Sequence, residues 1–460
     1  MNKKLYLILL AILFSKILIL AMLKFTAWPE MLLWPYLMIK GWLPYSDIAI
    51  AHTPLMLLDL SIFYKIFGVG IIQLKIFTWL LILLFDLLIF VVAKRIWDKK
   101  TALFSVLFYS FWMIFYEGNG LWFDLYMGVI AFCSFYFALR KDWFWTGVFW
   151  ALAFLSKQTA FWFLIPISYS IIVRLPLKVR PLKDRILKFV GGSVVVFSLF
   201  FVLVYALGIL PDFWNWAIKF GIFVLPKSQG QIQFPVLRNV LAAIFPFLIF
   251  LPLFLSWPGR GSDQKSKVLN LFLWAFAGFL GAFPRFEFFH FQPAIPYLAI
   301  ATSLLISNLN FRSFFLRLFL AFYFLASFYL VLSFCLKNYG KGTRFYEKEV
   351  LEVVSYVKKS TSPGEKILVL NWWDSVYPLT DTLPATRPWV PQLPWYQEIE
   401  GIQDREIESI KLTRPKFIVF YPYTDSGLSS YVPQRLYEYI SKNYFVKGGV
   451  GKIQFFAENE

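Results

Sequence analysis

Charged residues are scarce in this sequence. Of its 460 residues, 16% are charged, whereas 59% are hydrophobic and 21% are aromatic. A water-soluble globular chain carries roughly 25% charged residues, which keep its surface in water. The shortage of charge therefore excludes an ordinary soluble protein and predicts that lipid surrounds most of the chain.

Cysteine and histidine are also scarce, with two residues of each. Cys133 and Cys335 both fall in apolar runs, so no disulfide framework of an exported domain is expected. His52 and His290 are too few for a zinc site without supporting thiolates or carboxylates. We therefore expect neither a bound metal nor a cofactor.

Long apolar runs recur between residues 5 and 335. Each is close to the length that crosses a hydrocarbon core of roughly 30 Å. They predict a polytopic α-helical membrane protein with about eleven transmembrane helices, although the pairs that flank Glu117 and Lys157 could instead be re-entrant. The predicted spans are 5–22, 71–93, 101–116, 121–139, 143–156, 159–173, 188–208, 238–256, 268–283, 293–308 and 316–335.

Basic residues predict the orientation of these spans. Lys and Arg in short loops are retained on the cytoplasmic side, and most of them fall in inner loops if the N-terminus is cytoplasmic. No small-x-small cleavage site follows the first apolar run, so we expect an uncleaved helix rather than a signal peptide. An odd number of spans then places residues 336–460 outside the cytoplasmic membrane.

Nearly all of the net charge of +18 belongs to the membrane half of the chain. Residues 336–460 hold sixteen Lys and Arg against fifteen Asp and Glu. The excess is therefore interpreted as a topology signal and as attraction to anionic lipid headgroups, not as a binding surface for nucleic acid.

The pattern of polar residues predicts two domains, 1–335 in the membrane and 336–460 outside it. In the second, valines recur at helical spacing near residue 350, and apolar strands are expected at 366–370 and 416–421. Helices that alternate with short strands indicate a small α/β extracytoplasmic domain.

Two long segments lie on the predicted outer side. Residues 23–70 are rich in Trp and Tyr, which favour the membrane interface. Residues 209–237 show little secondary-structure pattern, so they are expected to be mobile or to form a lid over a site.

Two acidic residues are candidates for catalysis. Asp47 lies in a turn rich in Gly and Pro, where it could cap backbone amides or act as a general base beside an interfacial helix. Its aromatic surroundings are expected to raise its pKa by desolvation. Asp124 lies just inside the outer end of its span, where an ionisable group is a functional candidate, although a helix N-terminal carboxylate is the simpler alternative. Asp86, deeper in its span, is expected to form a structural pair with Lys16.

The surroundings of Asp47 resemble a known family. The run Gly41-Trp-Leu-Pro-Tyr-Ser-Asp-Ile48, followed by His52-Thr-Pro-Leu55, resembles the first outer loop of GT-C glycosyltransferases, in particular the family 39 protein O-mannosyltransferase-like group. The resemblance extends to Leu155-Ser-Lys-Gln-Thr159 and to Arg285-Phe-Glu-Phe-Phe-His-Phe-Gln-Pro-Ala-Ile-Pro296, where Phe291 replaces the group's usual Tyr.

This resemblance implies a GT-C-like membrane domain and a function. The family transfers a sugar from a polyprenyl-phosphate donor to an acceptor on the outer face, here a lipid, glycan or protein, with inversion at the anomeric carbon. The resemblance implies that Asp47 is the catalytic aspartate of this loop, acting as the base, and that Asp124 is a second acidic residue that shapes the site.

The donor phosphate would then need cationic partners. No Asp-x-Asp pair occurs in the sequence, so the metal-diphosphate site typical of nucleotide-sugar enzymes has no evident ligands. Lys157, Arg285 and His290 are our candidates for binding the phosphate. The alternatives are a snorkelling anchor for Lys157, an ion pair with Glu287 for Arg285, and a structural role for His290.

A transporter or a flippase for envelope glycans is the main rival. Transporters typically show repeated halves, whereas here the candidate residues collect on one predicted face of the membrane and a soluble domain follows. This asymmetry favours an enzyme. An inactive relative that serves as an assembly partner is a third possibility.

Overall fold

A computed structural model describes residues 3–173, 181–228, 231–232, 235–255, 262–308, 314–340 and 342–459. Some residues used in the sequence predictions lie outside these ranges. They are the inner-side cations Arg174, Lys178, Arg180, Arg260 and Arg312, and Gly230 of the second long outer segment.

Most of the described chain is helical. The α-helices are α1 (Lys3–Met22), α2 (Pro29–Ile39), α3 (Leu55–Phe67), α4 (Ile71–Ile96), α5 (Lys99–Phe115), α6 (Phe123–Leu139), α7 (Trp143–Ser156), α8 (Leu164–Val173), α9 (Leu182–Ala206), α10 (Leu210–Phe213), α11 (Leu237–Ile244), α12 (Phe250–Leu255), α13 (Ser262–Leu280), α14 (Ile295–Asn308), α15 (Phe314–Asn338), α16 (Lys348–Ser360), α17 (Val376–Thr380), α18 (Pro394–Gln397), α19 (Ile402–Thr413) and α20 (Gln434–Asn443).

Shorter elements complete the described chain. There is a π-helix at Trp214–Val224, and there are 3₁₀ helices at Gln158–Phe163, Leu225–Lys227, Phe245–Ile249, Phe288–Ala294 and Tyr423–Asp425. The strands are β1 (Phe25–Thr26), β2 (Thr343–Arg344), β3 (Lys366–Leu370), β4 (Leu383–Pro384), β5 (Ile418–Phe420), β6 (Tyr444–Val450) and β7 (Ile453–Glu458).

Helix ends follow local sequence signals. Asp98 caps α5, because its carboxylate accepts hydrogen bonds from the amides of Lys100 and Thr101 at 2.8 and 2.9 Å. Pro29 opens α2, where its missing amide proton costs nothing. Gly68 ends α3 with a φ of 84°, a backbone conformation that favours glycine.

Six helical stretches among the described residues are long and apolar enough to cross a membrane. They are Lys3–Met22, Ile71–Ile96, Leu182–Ala206, Leu237–Leu255, Phe288–Ser307 and Phe314–Asn338. Three shorter apolar helices occupy Phe123–Leu139, Trp143–Ser156 and Gln158–Ile172. The chain is a multi-pass membrane protein, as predicted, while the count of eleven spans stays a prediction.

The described chain forms two compact units. Unit 1 comprises Met1–Phe25, Thr78–Val202 and Ile232–Lys341. Unit 2 comprises Thr26–Phe77, Leu203–Gln231 and Gly342–Glu460. Most of the two long outer segments thus belongs to the same unit as the C-terminal residues. The division of the chain into domains 1–335 and 336–460 stays a prediction.

Two glycines in unit 1 bring helices close to the 3₁₀ helix Phe288–Ala294. A Cβ atom on Gly278 of α13 would lie 2.7 Å from the backbone nitrogen of Ala294, and one on Gly128 of α6 would lie 3.3 Å from the Cα atom of Pro293. Small residues permit this close backbone packing in membrane helices. The packing fixes the position of the 3₁₀ helix, which carries His290.

The predicted pair between Lys16 and Asp86 is confirmed in unit 1. The Lys16 Nζ atom lies 2.9 Å from Oδ1 and 2.7 Å from Oδ2 of Asp86. Their side chains are 2% and 0% exposed. A charge at this depth is tolerated because its partner supplies both the opposite charge and the hydrogen bonds.

Unit 2 contains a mixed sheet of five strands in the order β4-β3-β5-β7-β6. Strand β3 is parallel to both β4 and β5, and β7 is antiparallel to β5 and β6. The predicted strand 366–370 is β3, and β5 lies within the predicted 416–421. The small C-terminal α/β region predicted from the sequence is therefore present.

The long outer segments contribute to the core of unit 2. Ala51 packs with Phe220 of the π-helix and with Tyr396 of α18 in one buried cluster. Lys40 forms an ion pair with Asp381 at 2.7 Å. The expectation that residues 209–237 have little secondary structure is wrong for 210–227, because this stretch is helical and buries part of its apolar face.

Glu406 of α19 is a buried acid in unit 2. Its Oε1 atom accepts hydrogen bonds from the side-chain amides of Gln392 and Gln397, at 3.0 and 3.2 Å. Burial raises the pKa of Glu406 to about 8, and these hydrogen bonds only partly oppose the shift. The carboxyl group is therefore mostly protonated at neutral pH.

We predict that Glu406 makes unit 2 less stable as pH rises. The unfolded chain loses this proton near the ordinary pKa of 4.5, whereas the folded chain keeps it up to about pH 8. Stability is therefore lost progressively between these values. Glu406→Gln removes this dependence and should stabilise the protein at pH 7 by up to about 3 kcal/mol.

Thermal unfolding at pH 5 and pH 8, followed by hydrogen exchange of the β3 and β5 amides, measures this effect. Glu438→Gln, which changes an exposed glutamate of α20, is the matched control. Equal pH dependence of wild type and Glu406→Gln would show that the Glu406 pKa is ordinary.

Candidate active site

Asp47 lies in a tight turn between α2 and α3. Gly41 and Tyr45 adopt positive φ angles of 87° and 70°, which reverse the chain before the acid. The amide of Asp47 donates to the carbonyl of Leu43 at 2.9 Å, and the amide of Leu43 donates to Oδ2 of Asp47 at 2.8 Å. The turn-capping role considered from the sequence is therefore present.

Arg387 holds the same carboxylate from the C-terminal part of unit 2. Its Nε atom lies 2.7 Å from Oδ1 and its Nη2 atom 2.7 Å from Oδ2 of Asp47. This is the two-pronged geometry in which a guanidinium binds a carboxylate most strongly. The Asp47 side chain is 14% exposed and that of Arg387 is 56% exposed.

Backbone contacts fix the two partners beside each other. The amide of Trp389 donates to the carbonyl of Asp47 at 2.8 Å, and the amide of Ala49 donates to the carbonyl of Trp389 at 2.9 Å. The Arg387 guanidinium lies 5.1 Å from the centre of the Trp42 ring, a cation–π contact. The carboxylate is thus oriented by groups that are themselves held in place.

The pKa of Asp47 lies below its ordinary value. Partial burial acts to raise it, but the hydrogen bonds from Arg387 and the Leu43 amide, together with the Arg387 charge, outweigh that effect. The expected rise of the Asp47 pKa by desolvation is therefore wrong, because the cationic partner lies 340 positions away and has no signal in the local sequence. Asp47 is ionised at neutral pH.

A second group of charged residues lies in unit 1, and we call Asp124, Lys157 and His290 the Asp124 cluster. Asp124 is in the first turn of α6, where the positive end of the helix dipole favours a carboxylate. Lys157 follows the last residue of α7, and His290 is in the 3₁₀ helix Phe288–Ala294. Three helix ends therefore converge on one carboxylate.

The Asp124 cluster is tightly bonded and buried. The Lys157 Nζ atom lies 2.7 and 2.6 Å from the two carboxylate oxygens of Asp124, and the Nδ1 atom of His290 lies 2.8 Å from Oδ2. The side chains are 0% exposed for Asp124, 6% for Lys157 and 12% for His290.

The tautomer of His290 follows from this geometry. Its Nδ1 atom also lies 3.1 Å from Nζ of Lys157, but it cannot donate to Asp124 and accept from Lys157 at once. Donation to the carboxylate places the proton on Nδ1. In the neutral ring Nε2 is then an acceptor, whereas the protonated ring carries a donor at Nε2 and can bind an anionic phosphate oxygen.

Arg285 lies just before the same 3₁₀ helix. Its Nε atom donates to Oε1 of Glu287 at 2.6 Å, which is the ion pair considered as an alternative from the sequence. The side chains are 35% and 27% exposed. The guanidinium has four further N–H donors, so this ion pair does not use up its capacity to bind an anion.

The structure thus groups three of the five predicted site residues in the Asp124 cluster. Arg285 is near it in sequence and belongs to the same unit, while Asp47 is paired in unit 2. Arg387 was missed by the sequence analysis, because no motif surrounds it and its contact with Asp47 joins residues 340 positions apart. In the described part of the chain, no group of three or more His, Cys, Asp or Glu residues could hold a metal ion.

Comparison with known families gives one match. Residues 51–205 match the family model described as dolichyl-phosphate-mannose-protein mannosyltransferase. The matched stretch includes Asp124 and Lys157 and begins just after Asp47. A search of curated proteins finds no match.

Solved structures resemble almost the whole chain. ArnT from Cupriavidus metallidurans, bound to undecaprenyl phosphate, is 15% identical with a TM-score of 0.68, and the alignment covers 98% of this chain and 97% of ArnT. The archaeal oligosaccharyltransferase AglB from Archaeoglobus fulgidus, in complex with an inhibitory peptide and a dolichol-phosphate, is 13% identical with a TM-score of 0.53 over 98% of this chain and 74% of AglB. The chain therefore has the same fold as these two proteins, and the predicted GT-C-like fold is confirmed.

We predict that the charged residues of the Asp124 cluster stabilise the protein only when they are present together. Lys157→Met leaves a buried carboxylate without its main counter-charge and should destabilise the protein by about 3–5 kcal/mol. Adding Asp124→Asn removes that charge and should restore much of the loss. Lys16→Met, at the other buried pair of unit 1, is the matched control and should cost a similar amount.

Denaturant unfolding in detergent checks this prediction. The interpretation is wrong if Lys157→Met is as stable as wild type, or if Asp124→Asn adds a further loss instead of reversing the first.

Proposed function

We propose that this chain, which has the GT-C fold, is an integral membrane glycosyltransferase. It transfers a sugar from a polyprenyl-phosphate donor to a lipid, glycan or protein acceptor on the outer face of the membrane, with inversion at the anomeric carbon. The observation that carries the proposal is the fixed, ionised carboxylate of Asp47 in the turn between α2 and α3.

Asp47 is assigned as the general base. The acceptor oxygen attacks the anomeric carbon, its proton passes to Asp47, and the bond between the sugar and the phosphate oxygen breaks to release polyprenyl phosphate. A carboxylate is a weak base for an alcohol. When the proton is transferred late in the reaction, however, the rate depends more on the position of the base than on its basicity. The hydrogen bond from the Leu43 amide and the backbone pairing with Trp389 provide that position.

Lys157, Arg285 and His290 are assigned to the donor phosphate. A phosphate leaving group gains negative charge as its bond to the sugar breaks, and cations placed in advance stabilise this charge. Asp124 is assigned as the second acid, which shapes the site by holding Lys157 and His290. In this role its carboxylate also compensates the Lys157 charge when no donor is bound.

The choice of donor is supported by the comparisons. The matching family model names dolichyl-phosphate mannose, ArnT was solved with undecaprenyl phosphate, and AglB was solved with a dolichol-phosphate. All three are polyprenyl-type phosphates or their sugar esters.

The topology is proposed from the basic residues. With a cytoplasmic N-terminus, most Lys and Arg fall in cytoplasmic loops, where such residues are normally retained. This distribution supports an orientation with residues 336–460 outside the cytoplasmic membrane. This orientation suits a lipid-linked donor, which delivers its sugar without a soluble nucleotide.

We predict that Lys157 and Arg285 bind the donor. Lys157→Ala and Arg285→Ala each remove a charge-assisted contact and should weaken donor binding by about 1.5–3 kcal/mol. Titration of folded protein with a labelled polyprenyl-phosphate sugar measures this loss. Lys16→Ala removes a cation that is buried like Lys157. It should leave the donor affinity of the folded fraction unchanged. Unchanged affinity in both site variants would exclude them from the donor site.

We predict that Asp47→Asn abolishes most of the activity. The amide keeps the shape of the side chain but cannot take up the proton, so turnover should fall by roughly 10²–10⁴ while folding is retained and donor binding is not weakened. Sugar transfer by purified protein, compared with Asp59→Asn in the neighbouring helix α3, measures the effect. Normal turnover of a folded Asp47→Asn protein would show that another group is the base.

A further inference from the structure

The contacts of Asp47 raise a mechanistic problem. A general base must offer a lone pair to the acceptor hydroxyl and must become more basic as it takes the proton. Both oxygens of Asp47 already accept from Arg387, and Oδ2 also accepts from the Leu43 amide. The same contacts that orient the carboxylate therefore lower its capacity as a base.

Arg387 is suited to leave this carboxylate without leaving the site. Its side chain is 56% exposed, so an anion can reach it from solvent. The guanidinium has five N–H donors, of which two point at Asp47, and its planar fork fits a phosphate as well as a carboxylate. The guanidinium also lies 5.1 Å from the centre of the Trp42 ring, a cation–π contact with a residue of the same turn as Asp47.

We propose that Arg387 is shared between Asp47 and the phosphate of the lipid donor, so that donor binding releases the base. Without donor, the guanidinium holds Asp47. When donor is bound, the phosphate takes the guanidinium, and Asp47 is freed to accept the proton of the acceptor. This proposal rests on the proposed function and adds a residue that neither the sequence analysis nor the comparisons assign.

The charge changes during the reaction favour this exchange. A polyprenyl-phosphate sugar is a phosphodiester with one negative charge, whereas the departing polyprenyl phosphate carries up to two. The attraction between Arg387 and the phosphate therefore grows as the bond between sugar and phosphate breaks. The attraction between Arg387 and Asp47 weakens as the carboxylate takes up the proton. The guanidinium is drawn towards the phosphate at the step that needs the free base.

Binding of undecaprenyl phosphate to four proteins tests the exchange without relying on turnover. The proteins are wild type, Asp47→Asn, Arg387→Gln and the double variant. Asp47→Asn should tighten binding about two- to fivefold, because the exposed ion pair no longer competes for the guanidinium. Arg387→Gln should weaken binding at least about tenfold. In the Arg387→Gln background, Asp47→Asn should have no further effect.

Three controls define the ligand. Undecaprenol, which lacks the phosphate, should bind all four proteins alike. Inorganic phosphate should bind wild type far more weakly than undecaprenyl phosphate, and equal affinity would show a general anion site instead of a lipid-donor site. Arg435→Gln, which breaks the exposed ion pair with Asp404 in the same unit, should leave binding unchanged.

Three further results would overturn the proposal. If Asp47→Asn tightens binding equally with and without Arg387, the effect is a general change in charge and no exchange occurs. If Arg387→Gln binds like wild type, Arg387 does not contact the phosphate, while the proposed function stands. If wild type binds neither undecaprenyl nor dolichyl phosphate, the proposed function fails and the exchange fails with it.

Discussion

A charge inside a lipid-surrounded protein is tolerated only if a partner compensates it, and this constraint governs the two buried ion pairs described in unit 1. An unpaired ion in hydrocarbon costs several kcal/mol, more than most single packing contacts return. Lys16 with Asp86, and Lys157 with Asp124, meet this constraint by the same two-oxygen contact of an ammonium group. The position of each pair along its helices then indicates whether its role is structural or chemical.

The two buried pairs differ in their surroundings. Lys16 and Asp86 lie within the long helices α1 and α4, and the Lys16 ammonium lies 4.6 Å from the centre of the Tyr109 ring. Lys157 and Asp124 lie at helix ends, where backbone groups are unsatisfied and a third titratable residue, His290, joins them. A lysine that can exchange one anionic partner for another at a helix end is suited to binding a phosphate, and a lysine enclosed in mid-helix is not.

The sequence predicted those features that depend on local pattern. Apolar runs predicted the membrane helices. The position of Asp86 deep within its apolar run predicted its pairing with Lys16. The turn around Asp47 carried enough local signal for the GT-C resemblance, and the fold agrees with it. Asp124, Lys157 and His290 were each predicted as site residues. The sequence pattern gave them separate roles, because it carries no information on which helix ends lie together.

Contacts between distant residues could not be predicted in this way. Arg387 reaches Asp47 only because the segment around Trp389 pairs with the turn, and neither stretch has a sequence signal for the other. The predicted direction of the Asp47 pKa was wrong for the same reason, since one unseen guanidinium reversed the effect of burial.

The central claim is that this membrane protein moves a sugar from a lipid phosphate to an acceptor. The most direct measurement incubates the purified protein in detergent with a panel of radiolabelled polyprenyl-phosphate sugars and an extract of candidate acceptors. It then follows the label and the released lipid together. The account predicts that label passes to an acceptor in equal amount with the polyprenyl phosphate released. Binding of these donors without any transfer, by a protein shown to be folded, would contradict it.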